Sequence, residues 1–239
     1  MRNTSGKTPL WKAIADALRA DLAEGRYRPG DRLPTEAALA ERFGVNRHTV
    51  RHGLSALVDD GLVRTRRGAG AFVAAVPTDY PIGKRTRFTE NLRRAGRRPE
   101  REVGGFAVRA ATADEAALLD IPQGDPVLTT HGRSLGDGQP LSMSESIYPH
   151  DRLPGLADAL ALQMGVTYAL REVGIADYTR ASTRITAVTA RATQAIVLGV
   201  SEGAPLLKTT FLNVADGVPV EFGRTWWAGE RVTLTLETD

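Results

Sequence analysis

The sequence predicts two domains, a small α+β domain followed by a larger α+β domain built on an antiparallel sheet. Three observations lead to this prediction. Residues 1–75 carry three helical apolar patterns and then a hairpin with glycines at its tip. The stretch 76–84, with two prolines and a glycine, has no periodicity and predicts a linker. Residues 85–239 contain two copies of one unit.

The formal charge is distributed unevenly between the two predicted domains. Residues 1–76 carry 13 Lys and Arg against 8 Asp and Glu, a net +5, whereas residues 77–239 carry 18 against 20, a net −2. A basic domain joined to a nearly neutral one indicates that a polyanion is bound by the first domain alone. A chance imbalance on an ordinary surface is the alternative.

The composition excludes several classes of protein. Cysteine is absent, so neither a disulfide framework nor a thiolate metal site can form. Apolar runs stay below the ~18 residues of a membrane helix, and the first residues lack the apolar core of a signal peptide. We therefore expect a cytoplasmic protein without a membrane span, a metal or a cofactor.

Three helices are predicted by the spacing of apolar residues and by the residues that cap and end them. The first runs from Leu10 to Leu22, the second from Glu36 to Phe43 after the cap Thr35, and the third from the cap Asn46 to about Asp59. Residues 62–74 alternate around a glycine tip and predict a β-hairpin.

Helices two and three are separated by the very short connection Gly44-Val45, which sets them at a steep angle. This order is that of a winged helix-turn-helix, whose third helix enters the major groove of DNA. The alternative is a solvated basic helix in a small domain. The candidate DNA-binding residues are Thr35, Asn46, Arg47, His48, Thr49 and Arg51, with Arg66, Arg67, Gly68 and Gly70 on the hairpin, or wing.

The second predicted domain matches itself without gaps at an offset of 79 residues. Residues 118–149 lie over 197–228, so that both Asp-Gly turns, Asp137-Gly138 and Asp216-Gly217, coincide. Each copy is predicted to contain a strand, a short helix, a turn, and two strands joined by the Asp-Gly hairpin. Two such units should pack about a pseudo-two-fold axis as one domain.

Charged residues break the symmetry of this duplication on a predicted apolar sheet face. Arg133 stands where the second copy has Leu212, and Arg224 stands where the first has Glu145. Charges on such a face must be paired with each other or must face a polar ligand. A structural ion pair and a site for a small anion both remain open.

A second candidate site is the segment 85–92, Arg-Thr-Arg-Phe-Thr-Glu-Asn-Leu. A basic stretch that enters a helix N-terminus capped by a hydroxyl is suited to phosphate or phosphonate, because free N–H groups and the helix dipole favour anions. Solvated linker charges beside an apolar contact of Phe88 are the alternative.

The stretch PGDRLPTEAALAERFGVNRHTVRHGLSALVDDGLVRTRRGAGAFV, residues 29–73, resembles the DNA-binding domain of GntR-type regulators. The resemblance implies that Arg47, Thr49 and Arg51 contact an operator. It further implies that Asn46 and His48 tune the choice of sequence and that Gly68 places the wing.

The second domain resembles the UTRA effector domain of the HutC subfamily, which shares the fold of chorismate lyase. Within it, NRHTVR and DYPIGKRTRFTENLRRAGRRP are similar to PhnF-type regulators of phosphonate utilisation. The resemblance implies an effector between the sheet and the helix that follows the linker. The implied effector residues are Arg87, Phe88, Thr89 and Asn91 at the anion end, with Arg133, Glu145, Arg184, Glu221 and Arg224 as further candidates.

These features predict a dimeric repressor that binds a double-stranded operator and is released by a small anionic effector containing phosphonate or phosphate. A sensor of sugar phosphates or amino-acid derivatives and a ligand-independent DNA-binding dimer are the alternatives. A catalytic role is not expected, because the sequence lacks a nucleophile motif, a metal-ligand cluster and a nucleotide-binding loop.

Overall fold

The computed structural model describes residues 9–66, 68–74, 77–162 and 164–236. The chain divides into two compact units, residues 1–76 and 77–239. The first unit contains α1 (Leu10–Ala23), α2 (Glu36–Phe43), α3 (Arg47–Asp59), β1 (Val63–Arg66) and β2 (Gly70–Val73).

The first unit has the predicted order of three helices and an antiparallel hairpin. Thr35 and Asn46 cap α2 and α3 through their side-chain oxygens, and Gly44 ends α2 with a positive φ of 63°. The hairpin is joined by a bridge between Arg32 and Phe72, which adds a third short strand segment to the wing. One apolar core, with Leu18, Leu39, Val50 and Leu57 among its most buried members, holds helices and hairpin together.

The second unit is built around one six-stranded antiparallel sheet. Its elements are β3 (Thr78–Ile82), α4 (Phe88–Arg94), β4 (Pro99–Ala110), α5 (Ala113–Leu119), β5 (Pro126–Gly136), β6 (Gln139–Pro149), α6 (Leu156–Ala161), α7 (Val166–Glu172), β7 (Thr179–Thr189), α8 (Ala192–Leu198), β8 (Pro205–Ala215), β9 (Val218–Ala228) and β10 (Val232–Leu236). The strand order is β4-β5-β6-β9-β8-β7. This order places the predicted copies side by side, with β6 and β9 meeting at the pseudo-two-fold axis.

The two Asp-Gly turns confirm the duplication in detail. Asp137 and Gly138 have φ of 52° and 76°, and Asp216 and Gly217 have 49° and 80°. Two successive residues with positive φ are the requirement of a type I′ hairpin turn, which glycine and aspartate tolerate. The self-match therefore reflects repeated backbone geometry.

Two arginines at the same offset cross-link the copies. Arg152 donates to the carbonyls of Leu119, Asp120 and Pro219, and Arg231 donates to the matching carbonyls of Leu198, Gly199 and Pro140. Each guanidinium thus caps the C-terminus of the helix in its own copy and binds the hairpin of the other copy.

The two faces of the sheet are covered differently. α5 and α8 pack on one face, where Ile147, Phe222 and Leu206 are buried. The opposite face is covered in part by α6 and α7, and in part by β3, α4 and β10. The space between these two groups of elements is open and forms a cavity.

The predicted linker 76–84 requires correction. Residues 78–82 form β3, which pairs in parallel with β10 at the far end of the chain, Thr78 opposite Val232 and Ile82 opposite Leu236. Tyr80 and Ile82 are buried against this ribbon. The segment therefore belongs to the second unit, because its alternate side chains find an apolar surface that is distant in sequence.

Candidate functional site

The first unit presents the candidate nucleic-acid interface on α3. Val50, Gly53, Leu54 and Leu57 are buried on the side of the helix that faces the core, and the opposite side points outward. Arg47, His48 and Arg51 are exposed on this outer face. They occupy the first two turns of the helix, where the sequence predicts contacts to DNA bases.

Two of the predicted DNA-binding residues also build the start of the helix. The Asn46 side-chain oxygen accepts hydrogen bonds from the Thr49 amide at 2.8 Å and from the Thr49 hydroxyl at 2.9 Å. Thr35 plays the same part at α2, where its hydroxyl accepts from the Ala38 amide. These side chains fix the N-termini that point toward a phosphate backbone in such folds.

Arg51 is held by a partner that sequence reasoning missed. Its Nε and Nη2 donate to the two carboxylate oxygens of Glu36 on α2, at 3.0 and 2.7 Å. This hydrogen bond lowers the pKa of Glu36 and keeps it charged. The bidentate pair orients Arg51 and also neutralises part of its charge.

The wing holds the remaining candidates. The Arg66 guanidinium lies over the Phe72 ring at 4.4 Å, and Gly68 and Gly70 have positive φ of 75° and 101°. A Cβ at Gly70 would come within 3.3 Å of the Arg32 guanidinium. Arg67 lies outside the described residues.

The second unit contains a cavity of about 740 Å³ on the sheet face not covered by α5 and α8. It is bounded by the start of α4, the start of α7, Tyr80 on β3, and the polar side chains of the central strands. Arg87, Phe88, Thr89 and Glu221, four of the predicted effector residues, line it.

Arg87 is part of an ion-pair cluster at the cavity rim. Its Nη2 donates to Asp177 at 2.8 Å, its Nη1 donates to the Thr167 hydroxyl at 3.2 Å, and the guanidinium lies 4.6 Å over the Tyr178 ring. Asp177 also accepts from Arg85 at 2.5 Å, a bond that lowers the pKa of Asp177.

The predicted hydroxyl cap of α4 is wrong, and Asn91 has another role. Arg87 occupies the N-cap position without a side-chain hydrogen bond, so Thr89 falls inside the first turn. Asn91 is buried and donates to the Pro81 carbonyl at 3.0 Å, which attaches α4 to β3. It does not line the cavity.

Glu221 is a carboxylate at the cavity floor, with only 3% of its surface exposed. Oε1 accepts from the Ser146 hydroxyl at 2.7 Å and the Tyr148 hydroxyl at 3.1 Å, and Oε2 accepts from the Asn213 amide at 2.7 Å. Burial, and then the negative charge of Glu221, raise the pKa of Tyr148 well above its usual value. Neutral donors thus hold a buried anion beside the cavity.

Four arginines that line the cavity were missed by sequence reasoning: Arg93 and Arg94 on α4, and Arg101 and Arg180 on the sheet. Arg101 lies on edge strand β4 and Arg180 on edge strand β7. Arg180 donates through Nε to Asn213 at 2.7 Å and stacks 3.8 Å over the Phe211 ring, and burial lowers its pKa. Arg101 and Arg180 differ by 79 positions, so extending the self-match upstream would have found them.

The remaining predicted effector residues lie away from the cavity. Arg133 pairs with Glu102 across neighbouring strands, at 2.5 and 3.0 Å. Arg224 and Glu145 face each other across β9 and β6 at 2.9 Å, on the face that α5 and α8 cover. Arg184 is exposed on edge strand β7. Because side chains alternate along a strand, these four cannot share a surface with Ser134, Ser144 and Glu221.

Within the described ranges, no group of three or more potential metal-ligating side chains comes together. Among those same residues, the helices are too short or too polar to cross a membrane.

Two family models match the chain. The model described as bacterial regulatory proteins, gntR family, matches residues 10–73, and the UTRA domain model matches residues 94–233. The first match covers the three helices and the wing, and the second covers the duplicated sheet and the cavity.

Several curated proteins are similar to this chain over nearly its whole length. An HTH-type transcriptional regulator of Rhizobium meliloti is 41% identical, over 96% of this chain and 95% of its own. The probable transcriptional regulator PhnF of Escherichia coli is 32% identical, over 95% and 94%. The HTH-type transcriptional repressor PhnF of Mycolicibacterium smegmatis is 31% identical, over 97% and 95%.

A solved structure has the same fold. The crystal structure of PhnF from Mycobacterium smegmatis superposes with a TM-score of 0.67 and 28% identity, over 95% of this chain and 99% of that one. These relatives are transcriptional regulators and not enzymes.

Proposed function

The chain belongs to the GntR family of bacterial regulatory proteins and carries a UTRA domain, and from this premise we propose that it is a repressor released by a small effector. The effector contains a phosphonate or phosphate group and binds in the cavity of the second unit. The observation that supports this effector site is the cavity of about 740 Å³, where arginine side chains and hydroxyl groups on the sheet lie together. Its size suits a small molecule.

The DNA-binding half of the proposal rests on the outer face of α3. Arg47 is exposed in the first turn and forms no ion pair among the described residues, although the charge of Glu36 also acts on it. An arginine there can bind a guanine edge through two hydrogen bonds. Dimeric regulators of this type bind inverted repeats, so we propose a homodimer on such an operator.

Replacing Arg47 tests the DNA contact. Arg47→Ala should weaken specific operator binding by about 1–3 kcal/mol, measured by fluorescence anisotropy at a fixed salt concentration. Arg19→Ala is the matched control, since Arg19 pairs with Asp60 at the opposite end of α3. Full operator affinity in Arg47→Ala would exclude Arg47 as a base-reading residue.

The effector half is tested by operator release. Phosphate, methylphosphonate, a sugar phosphate and an amino acid are added to the protein–operator complex, and the same compounds are compared by thermal shift. Release requires an effector that binds the DNA-free conformation more tightly than the DNA-bound one. Release by methylphosphonate or phosphate supports the proposal, whereas release only by the sugar phosphate or only by the amino acid favours the alternative ligands. A DNA complex insensitive to all four would indicate a ligand-independent dimer.

A further inference from the structure

Two arginines enter the cavity from opposite edges of the sheet at positions related by the duplication. Arg101 on β4 pairs across strands with Ser134 on β5, and Arg180 on β7 pairs with Asn213 on β8. All four side chains line the cavity. The offset of 79 relates Arg101 to Arg180 and Ser134 to Asn213, so the cavity lies across the pseudo-two-fold axis.

In the described part of the chain Arg101 and Arg180 form no direct ion pairs, although the charge of the nearby Glu221 acts on Arg180. Over residues 9–66, 68–74, 77–162 and 164–236, neither Arg101 nor Arg180 has an acidic group within ion-pair distance. By contrast, Arg87, Arg133 and Arg224 are each paired with an aspartate or a glutamate. On the sheet, the positive charge available to a ligand therefore lies at Arg101 and Arg180, and Arg93 on the exposed side of α4 is a further cavity-lining arginine without an ion pair among the described residues.

The two copies differ in the residue beneath the arginine, which is Phe211 under Arg180 and Gly132 at the equivalent position in the first copy. Arg180 stacks on Phe211, whose ring fills the space over Gly223, where a Cβ would come within 2.2 Å of the ring. In the first copy the position of Phe211 is Gly132. A Cβ at Gly132 would lie 2.7 Å from the Glu102 carbonyl oxygen, so strand packing requires the glycine. Among the described residues, no aromatic ring therefore stacks on Arg101 as Phe211 stacks on Arg180.

The positive charges of Arg101 and Arg180 both act on Tyr80, which lines the cavity. Burial raises the pKa of the Tyr80 hydroxyl to about 12, and the positive charges of Arg101 and Arg180 both oppose this rise. Glu221, held by neutral donors, lies at the floor of the same cavity. A ligand group bound between the arginines must therefore be strongly anionic to outweigh the nearby carboxylate.

We propose that Arg101 and Arg180 form a two-guanidinium clamp for a doubly charged tetrahedral group, the phosphonate or phosphate of the effector. Arg180 is the preformed half of the clamp, and Arg101 closes on the group and sets the preference for a dianion over a monoanion. The clamp rests on the proposed function, since it assumes that the cavity holds the effector. Two guanidinium groups present paired donors that match the several oxygens of such a group.

The test compares two probes of the same shape and different charge, methylphosphonate and methanesulfonate. Binding to the full chain is measured by calorimetry at a pH where the phosphonate is a dianion. The wild type should prefer methylphosphonate at least about tenfold, and Arg101→Gln should weaken methylphosphonate binding about 10- to 100-fold, with little effect on methanesulfonate. Arg101→Lys should recover part of the preference, because it restores the charge without the planar fork.

Arg133→Gln is the matched control, because it removes the same charge from the neighbouring strand and lies outside the cavity. It should bind both probes as the wild type does. Loss of the dianion preference in Arg101→Gln, with an unchanged melting temperature, supports the clamp. Methylphosphonate binding that is unaltered in Arg101→Gln contradicts the clamp alone, whereas a wild type that binds neither probe contradicts the proposed effector class as well.

Discussion

Removing the guanidinium of Arg231 should destabilise the second unit, because this group cross-links the two copies of the duplicated unit. Its Nη1 donates to the carbonyls of Pro140 and Leu198, both at 2.7 Å, and its Nη2 donates to Gly199 at 2.9 Å. The side chain is only 11% exposed. Arg231→Ala therefore leaves three carbonyls of two different elements without this partner.

The size of the effect follows from these three bonds. Hydrogen bonds to a charged group contribute about 1.5–3 kcal/mol each. Ordering a long arginine side chain costs about 2 kcal/mol, and water replaces part of what is lost. We expect Arg231→Ala to lower the free energy of unfolding by about 3 kcal/mol. For a unit of this size that corresponds to roughly 6–12 °C in melting temperature.

Differential scanning calorimetry on the full chain measures this, and the duplication supplies the control. Arg152→Ala removes the equivalent guanidinium, which binds three equivalent carbonyls from a more exposed position. It should cost less, about 1–2 kcal/mol, because solvent screens and replaces its bonds more readily. A shift below about 2 °C in Arg231→Ala, or a larger loss in Arg152→Ala, would refute the reasoning.

Two further predictions concern ion pairs in the two units. Glu36→Gln should free Arg51 from its carboxylate partner, raise affinity for DNA of any sequence, and steepen the slope of log K against log salt by about one; an unchanged slope would show that Arg51 does not reach phosphate. Hydrogen bonding by Arg109 lowers the pKa of Glu115 to about 2, so the stability from this charge is complete above pH 4.5 and is lost as pH falls toward 2. In Glu115→Gln, the loss of unfolding free energy as pH falls from 4.5 to 2 should therefore be about 2 kcal/mol smaller than in the wild type. A curve of unfolding free energy against pH that runs parallel to that of the wild type would contradict this assignment.

The features that depend on neighbouring residues were predictable from the sequence. The caps Thr35 and Asn46, the ends of the first three helices and both Asp-Gly turns follow from local hydrogen bonding and local backbone geometry. The self-match predicted the two copies, and the six-stranded sheet confirms them. Family membership also follows from local motifs, since the recognition helix and the wing are contiguous in the chain.

The sequence by itself thus determined the two domains, their elements and the duplication, because each depends on periodicity and turn chemistry within a few residues. Tertiary structure alone decided which side chains meet in the cavity. Pairing of the edge strands brought Arg101 and Arg180 to one surface, and strand alternation turned Arg133 and Arg224 away from it. The parallel pairing of β3 with β10 made a strand of the predicted linker. These outcomes depend on contacts between residues far apart in the chain, where a local pattern fixes neither the partner nor the face.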